Sequence, residues 1–84
     1  MDDWIDQLAA ALGEDPLSRG DAERLLAAAR DVAHRVERRT TPLAAFLLGS
    51  SVGHATDAGQ PRADALAAAL ETLDGLLPEA PARA

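Results

Sequence analysis

Three arginines and two threonines crowd into seven residues, Arg35, Arg38, Arg39, Thr40 and Thr41, with His34 immediately before them. Arginine grips phosphate or carboxylate through two parallel N–H donors, and threonine hydroxyls add further hydrogen bonds. Pro42 follows and marks a helix start, where free backbone N–H groups and the positive end of the helix dipole favour an anion. His34, Arg35, Arg38, Arg39, Thr40 and Thr41 therefore form a candidate contact for a nucleotide or pterin phosphate, or for a partner's acidic patch. A simpler account competes with it. Arginines suit the negative C-terminal end of the preceding helix, and they can pair with the five acids of residues 1–16. Exposed charges of this kind contribute little, and that account carries more weight.

Other chemistry is weaker. Asp31-x-x-His34 puts two metal ligands one helical turn apart, and His54-x-x-Asp57 repeats the spacing in reverse. The arginines beside His34 repel a cation, so the histidines read as ordinary surface residues, and no metal or cofactor is expected. Ser50 and Ser51 have no acid–base relay at motif-like spacing. A chain of 84 residues also has little room for a deep pocket. The expectation is a protein that is not an enzyme. Gly49-x-x-x-Gly53 would mark a dimerising helix in a membrane. The apolar run Leu43–Gly53 is far shorter than the ~20 residues a span requires. The glycines are therefore read as close helix packing in a core.

Composition narrows the class further. The net charge of −6 argues against nucleic-acid binding. Residues 30–41 run against that trend, with four arginines against Asp31 and Glu37. Twenty alanines and very few Val, Ile or Tyr favour helices over strands. The large apolar residues also number twenty, a thin core with no cysteine to staple it. The acidic start, MDDW, is unlike the basic start of a secretion signal. A soluble cytoplasmic protein with no membrane contact is expected.

The periodicity predicts four helices. The first runs from Asp2 or Asp3 to about Leu12, with Gly13 as its stop. The second starts at Ser18 or Asp21 and reaches Arg38, with Val32 and Val36 on its apolar stripe and His34 on the opposite side. The third is capped by Thr41, starts at Pro42 and ends near Val52, apolar on both sides and so enclosed by its neighbours. A polar loop covers His54 to Pro61, and the fourth helix runs from there until Pro78 stops it. The fold class is all-α, a compact four-helix bundle around a central hydrophobic third helix. Residues 1–77 form one domain and 78–84 a frayed tail. With Phe46 at the centre, Phe46→Ala is expected to cost ~3–5 kcal/mol.

Trp4, Leu12-Gly13, Asp31-Val32-Ala33-His34, Pro42-Leu43, Phe46-Leu47-Leu48-Gly49 and Gly53 carry a family pattern. Over roughly residues 1–77 the chain resembles the uncharacterised small all-helical domain family of high-GC bacteria. That family occurs alone or at the C-terminus of proteins like the molybdenum-cofactor guanylyltransferase. Thr41-Pro42 stands where the family has Ala-Pro, which keeps the proline and adds a cap. The resemblance implies no catalytic residue. It implies a context of molybdenum-cofactor (molybdopterin guanine dinucleotide) biosynthesis and a guanylyltransferase-like enzyme as partner. The leading expectation is a non-catalytic accessory domain that binds another protein. The alternative is a small anion- or nucleotide-binding module at the basic junction, and a homo-oligomer pairing exposed Leu or Trp faces is a third.

Overall fold

A computed structural model describes residues 2–79. It contains α1 (Asp2–Ala11), α2 (Arg19–Arg35), a single 3-10 turn (Arg38–Thr40), α3 (Thr41–Asp57) and α4 (Arg62–Leu76). The all-α, four-helix architecture is the expected one, with no strand among the described residues. Of the expected tail, Pro78 and Glu79 are described and exposed, and residues 80–84 lie outside the described residues.

Local chemistry accounts for the helix ends. Gly13 and Gly59 adopt left-handed conformations, φ 74 and 106. Beside them the amides of Glu14 and Gln60 reach back to the carbonyls of Ala9 and Ala55 at 2.8 and 3.0 Å, which closes α1 and α3 with the same glycine-centred cap. At the start of α2 the Ser18 hydroxyl accepts from the amide of Asp21 at 3.1 Å. Asp21 adds negative charge to that first turn.

Three boundaries differ from the sequence expectation. α2 ends at Arg35, short of Arg38. Pro42 has no N–H, and its ring clashes with the carbonyl one turn earlier, so a helix cannot run through Arg38 into Pro42 unbroken. The chain extends at Glu37 and re-enters helical geometry through the 3-10 turn. Thr41 is not the cap expected of it. It is the first residue of α3, and Thr40, which precedes it, makes no side-chain cap. α3 also continues five residues beyond Val52 to Asp57, so the loop expected from His54 is mostly helix. The helix absorbs Gly53 at a cost of about 1 kcal/mol relative to alanine and stops at the left-handed Gly59.

α3 and α4 pack as a hairpin, and α2 lies against both. The buried residues are Val32 on α2 with Ala65 and Leu66 on α4. α3 is central in position, touching α2, the 3-10 turn and α4. It is not the enclosed hydrophobic helix expected. Phe46 is 75% exposed, and Leu43 and Leu47 are also exposed. Val36, counted on the apolar stripe of α2, is exposed as well, and so is Leu26. Among the described residues α1 packs against no other element, and its Trp4 is 63% exposed.

Candidate functional site

An apolar groove of about 440 Å³ lies between α2, α3 and α4. α3 supplies its floor with about two residues per turn, Thr41, Ala44, Leu48, Val52 and Thr56 among them. Leu25, Ala28 and Val32 of α2 and Leu66 and Leu73 of α4 form the walls. Gly49 and Gly53 also line it, and a Cβ at either would meet nothing within 4 Å. The reading of these glycines as close packing within the chain is therefore corrected. They leave open space, and the groove is where that space lies.

One end of the groove is held by Arg62. Its guanidinium donates to the carbonyl oxygens of Asp15 at 3.0 Å and Pro16 at 2.9 Å, and lies 3.6 Å from Glu14 Oε1. This ties the linker between α1 and α2 to the start of α4. Reading the sequence for chemistry passes over Arg62. A signal was present nonetheless: a cation in the first turn of a helix opposes the dipole, so something else must hold it there.

The basic junction borders the opposite end, where Thr41 lines the groove. Arg38, Arg39 and Thr40 share the 3-10 turn, and His34 and Arg35 end α2 just before it. His34, Arg38 and Arg39 are exposed, and Arg35, Thr40 and Thr41 are half-buried. The start of α3 offers fewer free donors than an open helix end. The Thr40 amide bonds the Glu37 carbonyl, the Thr41 amide bonds that of Arg38, and Pro42 has none. The Thr40 hydroxyl also donates to Glu37 O at 2.8 Å. Thr41 Oγ1 is buried and makes no hydrogen bond. The ion pairs among the described side chains are Arg24–Asp21 and Arg62–Glu14, so none joins Asp3 or Asp6 of α1 to the junction.

Among the described residues no three of His, Cys, Asp or Glu gather where they could hold a metal ion. Asp31 and His34 lie on α2 and His54 and Asp57 on the last turns of α3. Ser50 and Ser51 are exposed on α3. No helix among the described residues is long and apolar enough to cross a membrane.

A family model whose description is Domain of unknown function (DUF6457) matches residues 1–84. No curated protein and no solved structure matches the chain.

Proposed function

We propose that this chain, which belongs to the DUF6457 family, is a non-catalytic helical domain that docks onto another protein through the outer face of α3. One observation carries the reading: Leu43, Phe46 and Leu47 stand exposed together, one helical turn from the exposed Arg39. Water leaves such a surface favourably when a partner covers it. Aromatic residues and arginine are also the types that most often anchor a protein interface. The partner proposed is a cytoplasmic guanylyltransferase-like enzyme of molybdenum-cofactor nucleotidylation. The support for that partner is the sequence resemblance carried by Pro42-Leu43, Phe46-Leu47-Leu48-Gly49 and the other matching positions. The test is direct binding of the purified enzyme to the wild-type chain and to Phe46→Ala. A tenfold or greater loss of affinity in the variant supports the docking face. Equal binding by both, or none by either, removes it.

A second reading rests on a separate observation. Arg38 and Arg39 are exposed without an ion pair among the described residues, next to the unbonded Thr41 hydroxyl. That combination suits a phosphate. Thermal shift with GTP, GMP and pterin phosphates tests it, using Arg38→Ala with Arg39→Ala as the control. A shift that survives in the double variant places the anion elsewhere.

A further inference from the structure

Three features share one chain: a groove without an occupant, an amphipathic helix without a packing partner, and a surface too large for the mass. The chain exposes 6455 Å², where a compact monomer of 8.7 kDa exposes about 4,700 Å². Its radius of gyration is 13.7 Å, against about 12 Å for a compact domain of this length. The excess surface is about 1,700 Å² per chain, and half of that already equals the ~800 Å² each partner gives to a standard interface. We propose that the groove receives α1 of a second copy, giving a dimer that exchanges its N-terminal helices.

The dimensions agree. The groove follows α3 from Thr41 to Thr56, about 22 Å at helical rise. α1 has ten residues, about 15 Å. Trp4, Ile5 and Leu8 are its large apolar residues, Leu12 follows its end, and α1 packs against no other element among the described residues. Gly49 and Gly53 leave the floor bare, with nothing within 4 Å of a Cβ, so a helix can approach the α3 backbone closely.

Charge sets the direction. Asp2, Asp3 and Asp6 put the acids of α1 in its N-terminal half, with no base on the helix. The basic junction with Arg38 and Arg39 lies at the Thr41 end of the groove. An incoming α1 therefore lies parallel to α3, its acids beside the arginines and Leu12 towards Thr56. That places both linkers near Arg62, where the molecular two-fold axis would pass. The linker favours exchange over folding back. The Gly13 cap and the two Arg62 bonds fix the direction in which α1 leaves its own bundle. Exchanging an identical element is a low-cost route to a symmetric dimer.

The chain has no cysteine, so an engineered disulfide reports proximity without background. Chains carrying Leu8→Cys are mixed with differently tagged chains carrying Val52→Cys, full length in both cases, and oxidised in air. Light scattering of the wild-type chain is expected to give twice 8.7 kDa, and the mixed sample to form the inter-chain disulfide. Leu8→Asp is expected to weaken the dimer at least tenfold and leave the helical circular dichroism of the monomer unchanged. A wild-type mass of one chain at the highest soluble concentration overturns the proposal. So does a Leu8→Cys/Val52→Cys double variant that closes only within one chain, or a dimer that Leu8→Asp leaves intact. Leu43→Ala lies on the side of α3 away from the groove and leaves the exchanged dimer intact, so this proposal and the docking face fail separately.

Discussion

Along α3, Ala44, Leu48 and Val52 face the groove between α2 and α4, while Leu43 and Leu47 face away from it and Phe46 stands exposed one turn before Gly49. An ordinary surface helix buries its large apolar residues and exposes the small or polar ones. Here large apolar residues stand on both sides, with Leu48 and Val52 half-buried along the groove and Leu43 and Leu47 exposed. The difference shows that apolar character alone does not choose the buried side. Placement does: α2 and α4 lie along the groove side of α3, and Leu43 and Leu47 stand exposed on the other. Four substitutions break or sharpen this contrast.

Leu66→Ala has the largest expected effect. Leu66 is 7% exposed and meets the inner side of α3 as one of three buried residues. Removing it costs about 2–4 kcal/mol in transfer and cavity terms. A chain of this size has ~4–12 kcal/mol in total, so the urea midpoint should fall sharply. A cost below about 1 kcal/mol would mean that the inner side is not where the fold is held.

Arg62→Ala comes next. It removes two hydrogen bonds to the carbonyls of Asp15 and Pro16 at the end of the groove. With a charged donor lost, the expected cost is about 1–3 kcal/mol. Hydrogen exchange should speed up in residues 13–18 before it does in α3. Unchanged exchange there would show that the linker is held by something other than this guanidinium.

Gly49→Ala is smaller and can change sign. In an open groove the methyl group meets nothing, and α3 gains about 0.8–1 kcal/mol of helix propensity. With a second helix seated on that floor the methyl group collides with it. Urea midpoints at several protein concentrations distinguish the two. A gain at every concentration belongs to an empty groove. A gain when dilute that turns into a loss when concentrated belongs to one filled by another copy.

How much of this was legible in the sequence depends on which residues carried it. Helix number and type followed from local signals: the Ser18 cap, the Pro42 break, Gly13 and Pro78 as stops. The end of α3 did not, because Gly53 and Gly59 are both plausible stops in one dimension and the left-handed φ belongs to Gly59. Arg38, Arg39 and Thr40 were legible as part of a charged junction. Their 3-10 geometry was not, since it arises from the need to break the helix before Pro42. The exposure of Phe46 was least legible. Periodicity identifies an apolar face and says nothing of whether another element reaches it, and on α3 both faces are apolar. The groove is a tertiary feature of the same kind, visible only once α2, α3 and α4 are placed.

Phe46→Ala gives the smallest stability change and the most direct reading of the outer side. As the centre of an enclosed helix, Phe46 would cost ~3–5 kcal/mol to truncate. At 75% exposure, its ring loses little on removal, and alanine is the better helix former, so the change in unfolding free energy should lie within ±0.5 kcal/mol. The same variant removes the largest apolar group from the outer face of α3. Stability and binding are therefore expected to separate: an unchanged urea midpoint alongside a lost partner. A midpoint that drops by several kcal/mol would return Phe46 to a core and cancel the contrast between the two faces. An unchanged midpoint with undiminished binding would keep the contrast and strip the outer side of its role.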